Sequence, residues 1–169
     1  MKKIMSIALL FALSWQTNAQ STEKAVDLKR NELKLDVAWL IFEPALKVEY
    51  EYFLNEWSSF GASGFINLST DDYIKSQLLG LYRLYFGKEP RAGFFLEGNF
   101  GLTFGKDSNY GTYRHENYTN FGIGIALGWK YHIPKSDIVL DLYAGAGRLL
   151  GDNGPGGYPR FGICIGKRF

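Results

Sequence analysis

A period of two runs through this chain from Asn31 to Phe169, in eight segments, and it sets what the chain can become. Successive side chains of a strand point to opposite faces, whereas an amphipathic helix repeats every three to four residues. Leu33, Leu35, Val37 and Trp39 share one face, opposite Lys34, Asp36 and Ala38. Leu46, Val48, Tyr50, Tyr52 and Leu54 then oppose Lys47, Glu49, Glu51 and Phe53. A weaker third segment runs from Ser58 to Leu68, and a fourth sets Ile74, Leu78, Tyr82, Leu84 and Phe86 against Lys75, Gln77, Arg83 and Tyr85. The fifth carries Phe94, Leu96, Phe100, Leu102 and Phe104 against Glu97, Asn99 and Thr103. In the sixth, Phe121, Ile123, Ile125, Leu127, Trp129 and Tyr131 face away from Gly122, Gly124, Ala126, Gly128 and Lys130. The seventh and eighth place Leu140, Leu142, Ala144 and Ala146 opposite Asp141 and Tyr143, and Phe161, Ile163, Ile165 and Phe169 opposite Cys164 and Arg168.

The faces are distributed in a way that water does not explain. A soluble barrel hides its apolar face and shows Lys, Glu, Thr and Ser outside. Here the non-apolar face of the sixth segment is mostly glycine and alanine, which would solvate poorly and pack nothing. Turned inside out, the pattern is coherent: small residues leave room within a narrow barrel and bulky ones meet lipid. The enclosed face then holds Lys34, Lys47, Lys75, Arg83, Lys130 and Arg168 with Asp36, Glu49, Glu51, Glu97 and Asp141. These charges nearly cancel, as an interior charge network requires. The expected fold is all-β: an eight-stranded antiparallel up-and-down transmembrane β-barrel over residues 31–169.

Connections alternate in kind. Asn55-Glu56, Gly87 to Pro90 and Pro134 to Ser136 are short turns. Phe42 to Pro44, Ser69 to Asp72, Gly105 to Thr119 and Leu150 to Pro159 fall at the other end, and the last two are long and polar. Short turns at one end and longer loops at the other suit an outer-membrane barrel. Phe86, Phe94, Tyr52, Trp129 and Tyr131 lie near the short-turn end, and Trp39, Phe104, Phe121 and Phe161 near the other, as two interfacial girdles would.

Residues 1–19 read as a secretory signal peptide for Sec-type export. Lys2 and Lys3 precede the apolar run Ile4 to Leu13, and Thr17-Asn18-Ala19 sets up cleavage before Gln20. The run is too short to span a membrane. Residues 20–30 form a polar leader. Without the signal peptide the chain has 17 basic and 17 acidic side chains, since the removed segment takes two of the 19 lysines and arginines and none of the 17 acids. That balance argues against nucleic acid as a partner. The single cysteine, Cys164, excludes an internal disulfide and a cysteine metal cluster, and no cysteine follows the cleavage site to carry a lipid.

The last strand closes on Phe169, and Phe161, Ile163, Ile165 and Phe169 form an alternating aromatic terminus. At these residues the chain resembles the small eight-stranded outer-membrane barrels of the outer-membrane protein A and X type. The resemblance implies that this terminus is the insertion signal read by the barrel-insertion machinery. It also implies a place in a Gram-negative cell outer membrane, with outer-membrane lipid around the barrel. More narrowly, Tyr82 to Lys88 and Gly162 to Phe169 look like an uncharacterised family of such barrels, a domain of unknown function. Neither resemblance implies an activity or a surface ligand.

Motifs for chemistry are weak. Gly122, Gly124 and Gly128, and Gly145, Gly147 and Gly151, miss dinucleotide spacing by one residue, and Gly162 to Lys167 is one short of a phosphate loop. His115 and His132 are far apart, so no metal site is expected, and no cofactor. A lipid-modifying enzyme would need the Tyr113-Arg114-His115-Glu116 stretch with a serine such as Ser108. The principal reading is a non-enzymatic barrel with a structural or surface-interaction role through its extracellular loops and no wide pore. The alternative is a soluble periplasmic lipocalin-like barrel holding an apolar ligand.

Overall fold

Strands alternating in this way bury their backbone polar groups only by pairing, and a closed barrel pairs all of them. The computed structural model describes residues 29–69, 74–108, 115–151 and 155–169. The signal peptide of residues 1–19 and residues 20–28 of the leader lie outside the described residues. Eight antiparallel strands form one closed barrel in chain order. They are β1 (Asn31–Asp36), β2 (Ala45–Phe53), β3 (Ser58–Asn67), β4 (Ile74–Tyr85), β5 (Gly93–Ser108), β6 (His115–His132), β7 (Ile138–Leu150) and β8 (Gly157–Arg168). The ends of the chain close it: Phe169 N–H donates to the Asn31 carbonyl at 2.8 Å and Asn31 N–H to the Phe169 carbonyl at 3.1 Å.

The barrel is inverted relative to a water-soluble one. Ile123, Ile125, Leu127, Trp129 and Tyr131 of β6 are exposed on the outside, as are Leu142 of β7 and Phe161, Ile163, Ile165 and Phe169 of β8. Between Tyr131 and Phe121 this apolar band rises about 25 Å for strands of ordinary rise and barrel tilt, the thickness a lipid-facing band needs. Outward charges mark its edges: Lys167 sits near the short-turn end and Arg148 and Lys106 toward the loop end. A soluble lipocalin-like barrel needs the opposite arrangement, with the apolar face enclosed.

Three local departures from strict alternation matter. β1 stops at Asp36, and Val37–Phe42 wind into a short helix, α1, where the sequence pattern extends the strand through Val37 to Trp39. Asp36 caps it by accepting from the Ala38 N–H at 3.1 Å. The Glu43 N–H closes it on the Trp39 carbonyl at 3.2 Å, and Pro44 cannot continue it. Second, the β4–β5 register shifts between Ile74 and Ser76. The extra residue turns Ile74 away from the outer face of Leu78, and Ile74 packs against Leu79, Leu81, Leu149 and Tyr158 inside. Third, β5, β6 and β8 run into segments expected as loops, to Ser108, from His115 and from Gly157.

Ile125 stands mid-band and is 68% exposed. Ile125→Arg should cost about 2–4 kcal/mol of folding stability in lipid vesicles, and Thr119→Arg near the loop rim about 0–1 kcal/mol. Urea unfolding in phosphatidylcholine vesicles measures both; equal costs would mean that the band is misplaced.

Candidate functional site

The inner face gathers ionisable side chains from seven of the eight strands. Among the described residues, Lys34, Lys47, Arg83, Lys130, Arg160 and Arg168 are buried together with Glu32, Asp36, Glu49, Glu51, Glu97 and Asp141, six of each sign. Register does the first part of the pairing. Lys34 lies directly across from Glu49, Arg83 from Glu97, Lys130 from Asp141 and Glu32 from Arg168. Opposite charges at facing positions attract on one face of a sheet.

Contacts across the lumen complete it. Lys34 Nζ lies 2.8 Å from Glu49 Oε1, 2.5 Å from Glu51 Oε2 and 2.7 Å from Asp141 Oδ2. Arg83 Nε donates to Glu97 at 2.8 Å, and its Nη1 reaches Glu51 at 3.0 Å and Asp141 at 2.9 Å. Its Nη2 lies 2.7 Å from both Glu49 and Glu97. Arg160 joins Glu97 at 2.7 Å and Glu49 at 2.9 Å, and donates to the Tyr143 hydroxyl at 3.0 Å. That hydroxyl donates in turn to Asp36 at 3.2 Å. Toward the short-turn end, Lys130 contacts Glu32 and bonds Glu51 at 2.7 Å, and Arg168 Nε donates to Glu32 at 2.9 Å. Glu51 also accepts from the Tyr85 hydroxyl and, at 2.5 Å, from Ser59.

Aromatic rings and glycines shape this interior. The Arg83 guanidinium stands 4.5 Å over the Phe95 ring, the Arg160 guanidinium 4.5 Å over Tyr143, and the Lys130 ammonium 4.9 Å over Phe53. Gly162 is required by close approach: a Cβ there would fall 2.0 Å from the Asp36 carboxylate and 2.6 Å from the Tyr143 hydroxyl. At Gly147 it would fall 2.1 Å from the Tyr158 ring.

Ten of the eleven candidates read from the sequence meet in this network. Lys75 does not. The bulge at its position takes it off the inner face, and its Nζ donates to the Ser69 carbonyl at 2.8 Å. Arg160 and Glu32 are members that the sequence pattern does not reveal. Arg160 immediately follows Pro159, where the turn-like Gly-Asp-Asn-Gly-Pro-Gly-Gly composition hides the start of β8. Glu32 precedes the first clear apolar residue of β1, although its period-two spacing from Lys34 and Asp36 is a usable signal.

The chain superimposes on the N-terminal β-barrel domain of Pseudomonas aeruginosa OprF with a TM-score of 0.54 and 14% identity, over 83% of this chain and 98% of that one. The Yersinia pestis outer membrane protein Ail, solved in phospholipid bilayer nanodiscs, gives 0.47 and 16%, over 83% and 99%. No protein-family model matches the chain, and no curated protein matches it either. At such identity the likeness to the OprF domain speaks for the fold. This is the fold of a small outer-membrane barrel.

Within this outer-membrane barrel fold, the carboxylates of Glu49, Glu51 and Asp141 bring oxygens within 4.8 Å of one another, close enough to hold a cation. The Lys34 ammonium sits against all three and supplies a counter-charge to them. The enzymatic candidates Tyr113 and Arg114, and the side chains of Ser108, His115 and Glu116, lie outside the described residues.

Arg160→Met should destabilise the barrel by about 3–5 kcal/mol, because Glu97 and Glu49 lose a buried counter-charge. Adding Glu97→Gln restores neutrality, so the double variant should unfold at a higher urea concentration than the two single losses would add to. Lys75→Met should change stability by less than about 0.5 kcal/mol. Strict additivity at 160 and 97 would sink the network interpretation.

Proposed function

We propose that this protein is exported across the inner membrane and resides in the Gram-negative outer membrane, where the barrel anchors outward-facing loops. The observation that carries this reading is the inverted polarity: twelve buried ionisable side chains inside and a broad apolar band outside. Closed barrels and helices are the backbone arrangements that satisfy every polar group within lipid. Among the described residues no helix is long and apolar enough to span a membrane, so the strands are what would cross it.

On this reading the loop segments within Gly105–Thr119 and Leu150–Pro159 are the parts that meet partners outside the cell, because loops tolerate variation that a packed wall does not. Outer-membrane lipid covers the band. The outward residues Phe161, Ile163, Ile165 and Phe169 of β8 would be presented to the barrel-insertion machinery during assembly. The reading includes neither a catalytic step nor a wide pore. Support for a closed lumen comes from Lys34, Arg83, Arg160 and Glu97, all fully buried and bonded across the interior.

Membrane fractionation with boiled and unboiled electrophoresis tests the location. Recovery with the outer membrane, and a band that shifts on heating, is the expected result; release by osmotic shock without detergent would overturn it. Planar-bilayer recording tests the lumen, and a large steady conductance would contradict the closed interior.

A further inference from the structure

β1 leaves part of the barrel wall without a strand. Its pairing with β8 ends at Asp36 and Cys164, and its pairing with β2 at Leu35 and Val48. Beyond these points residues 157–163 of β8 and 45–47 of β2 run on with no strand between them. α1 stands in that gap. The Trp39 ring stacks on Phe161 at 4.7 Å and meets Phe65 edge-on at 5.0 Å, and its Nε1 donates to the Phe161 carbonyl at 3.2 Å.

Backbone groups facing the gap are met by side chains. Asp36 accepts from the Ile163 N–H at 3.2 Å, and Lys47 adds a second donor to the Phe161 carbonyl at 3.0 Å. Alternate residues of a strand direct their polar groups to the same side, so Pro159 is next in this series. Proline has no N–H to leave unpaired there. The seam is thus held by side chains in place of a hydrogen-bonded ladder. On its outer side Ile41 and Phe42 are 74% and 76% exposed, next to the apolar band.

Behind the seam lies a cavity of about 380 Å³, lined among others by Trp39, Lys47, Phe65, Ile74, Gln77 and Pro159. This is the size of a small-molecule site. Its inward polar groups are already engaged: Gln77 donates to Thr103 at 2.8 Å, Lys47 is shared between the Phe161 carbonyl and Asp36, 3.3 Å away, and Asn67 accepts from the Ser69 N–H at 2.7 Å, while Glu43 is exposed at the mouth. What remains for a guest is apolar surface. Resting on the membrane reading above, we propose that the cavity takes the hydrocarbon chain of a membrane lipid, admitted sideways from the bilayer past α1.

The full chain refolded in vesicles of phosphatidylcholine, some of it carrying a diazirine near the end of one acyl chain, tests this. The headgroup of that probe stays at the membrane surface, so adducts on inward-facing residues report a chain that has left the bilayer for the cavity. After irradiation, mass spectrometry should find adducts on inward-facing Phe65 and Gln77 as well as on the band residues Ile125 and Leu127. Ile74→Trp, which narrows the cavity, should lower the inner adducts several-fold and leave the band adducts unchanged. Band adducts with none at Phe65 or Gln77 in the unsubstituted protein would overturn the lipid site and leave the membrane reading standing. Absence of band adducts would overturn both.

Discussion

The charge network inside the barrel is what the rest of the structure answers to. An ionised group removed from water is tolerable only against opposite charge and hydrogen bonds, and here twelve such groups share one narrow interior. Four of their pairings lie at facing positions, so strand register contributes directly to charge compensation. A slip of one residue would turn Lys34 and Arg83 toward lipid and Leu33 and Leu84 toward the network. The glycines of β6 to β8 follow from the same crowding, since Gly162 leaves the space that Asp36 and Tyr143 occupy. The network also gives the acidic cluster of Glu49, Glu51 and Asp141 a cation of its own, Lys34.

Against that regular interior, the loop end on the β8–β1–β2 side is irregular for one reason. β1 is six residues long, about three-fifths of what a tilted strand needs to cross the hydrocarbon region. The wall is completed there by side-chain contacts on the open edge of β8: the Trp39 indole of α1, Lys47 of β2 and the carboxylate of Asp36 at the end of β1. The cavity beside it is where the barrel departs from a simple filled cylinder.

Much of the barrel is legible in the alternation of its residues. Trp129, Leu127 and Ile125 can only alternate with Gly128 and Ala126 in a strand, and glycine faces on that scale only make sense inside. Ten network members follow from the same count. The departures have local causes. Lys75 sits at a bulge, which adds one residue and reverses the faces beyond it, and nothing in Ile74-Lys75-Ser76 announces it. Trp39 continues the alternation of β1 in the sequence, but Val37–Phe42 is equally compatible with a helical turn once Asp36 caps it. Arg160 escapes the pattern because glycine and proline around it imitate a loop.

Alternation alone was enough for the strand count, the antiparallel order, which face is apolar and outward, and the near-neutrality of the other. Those properties are periodic, and a period survives errors at single residues. Tertiary structure alone decided which acid holds which base, that Lys34 fills a three-carboxylate site, and that β1 gives way to α1 beside a cavity. These depend on the stagger between strands, which brings residues such as Arg160 and Glu49 together from positions far apart in the chain. No local pattern encodes that stagger, because it is a property of the closed barrel as a whole.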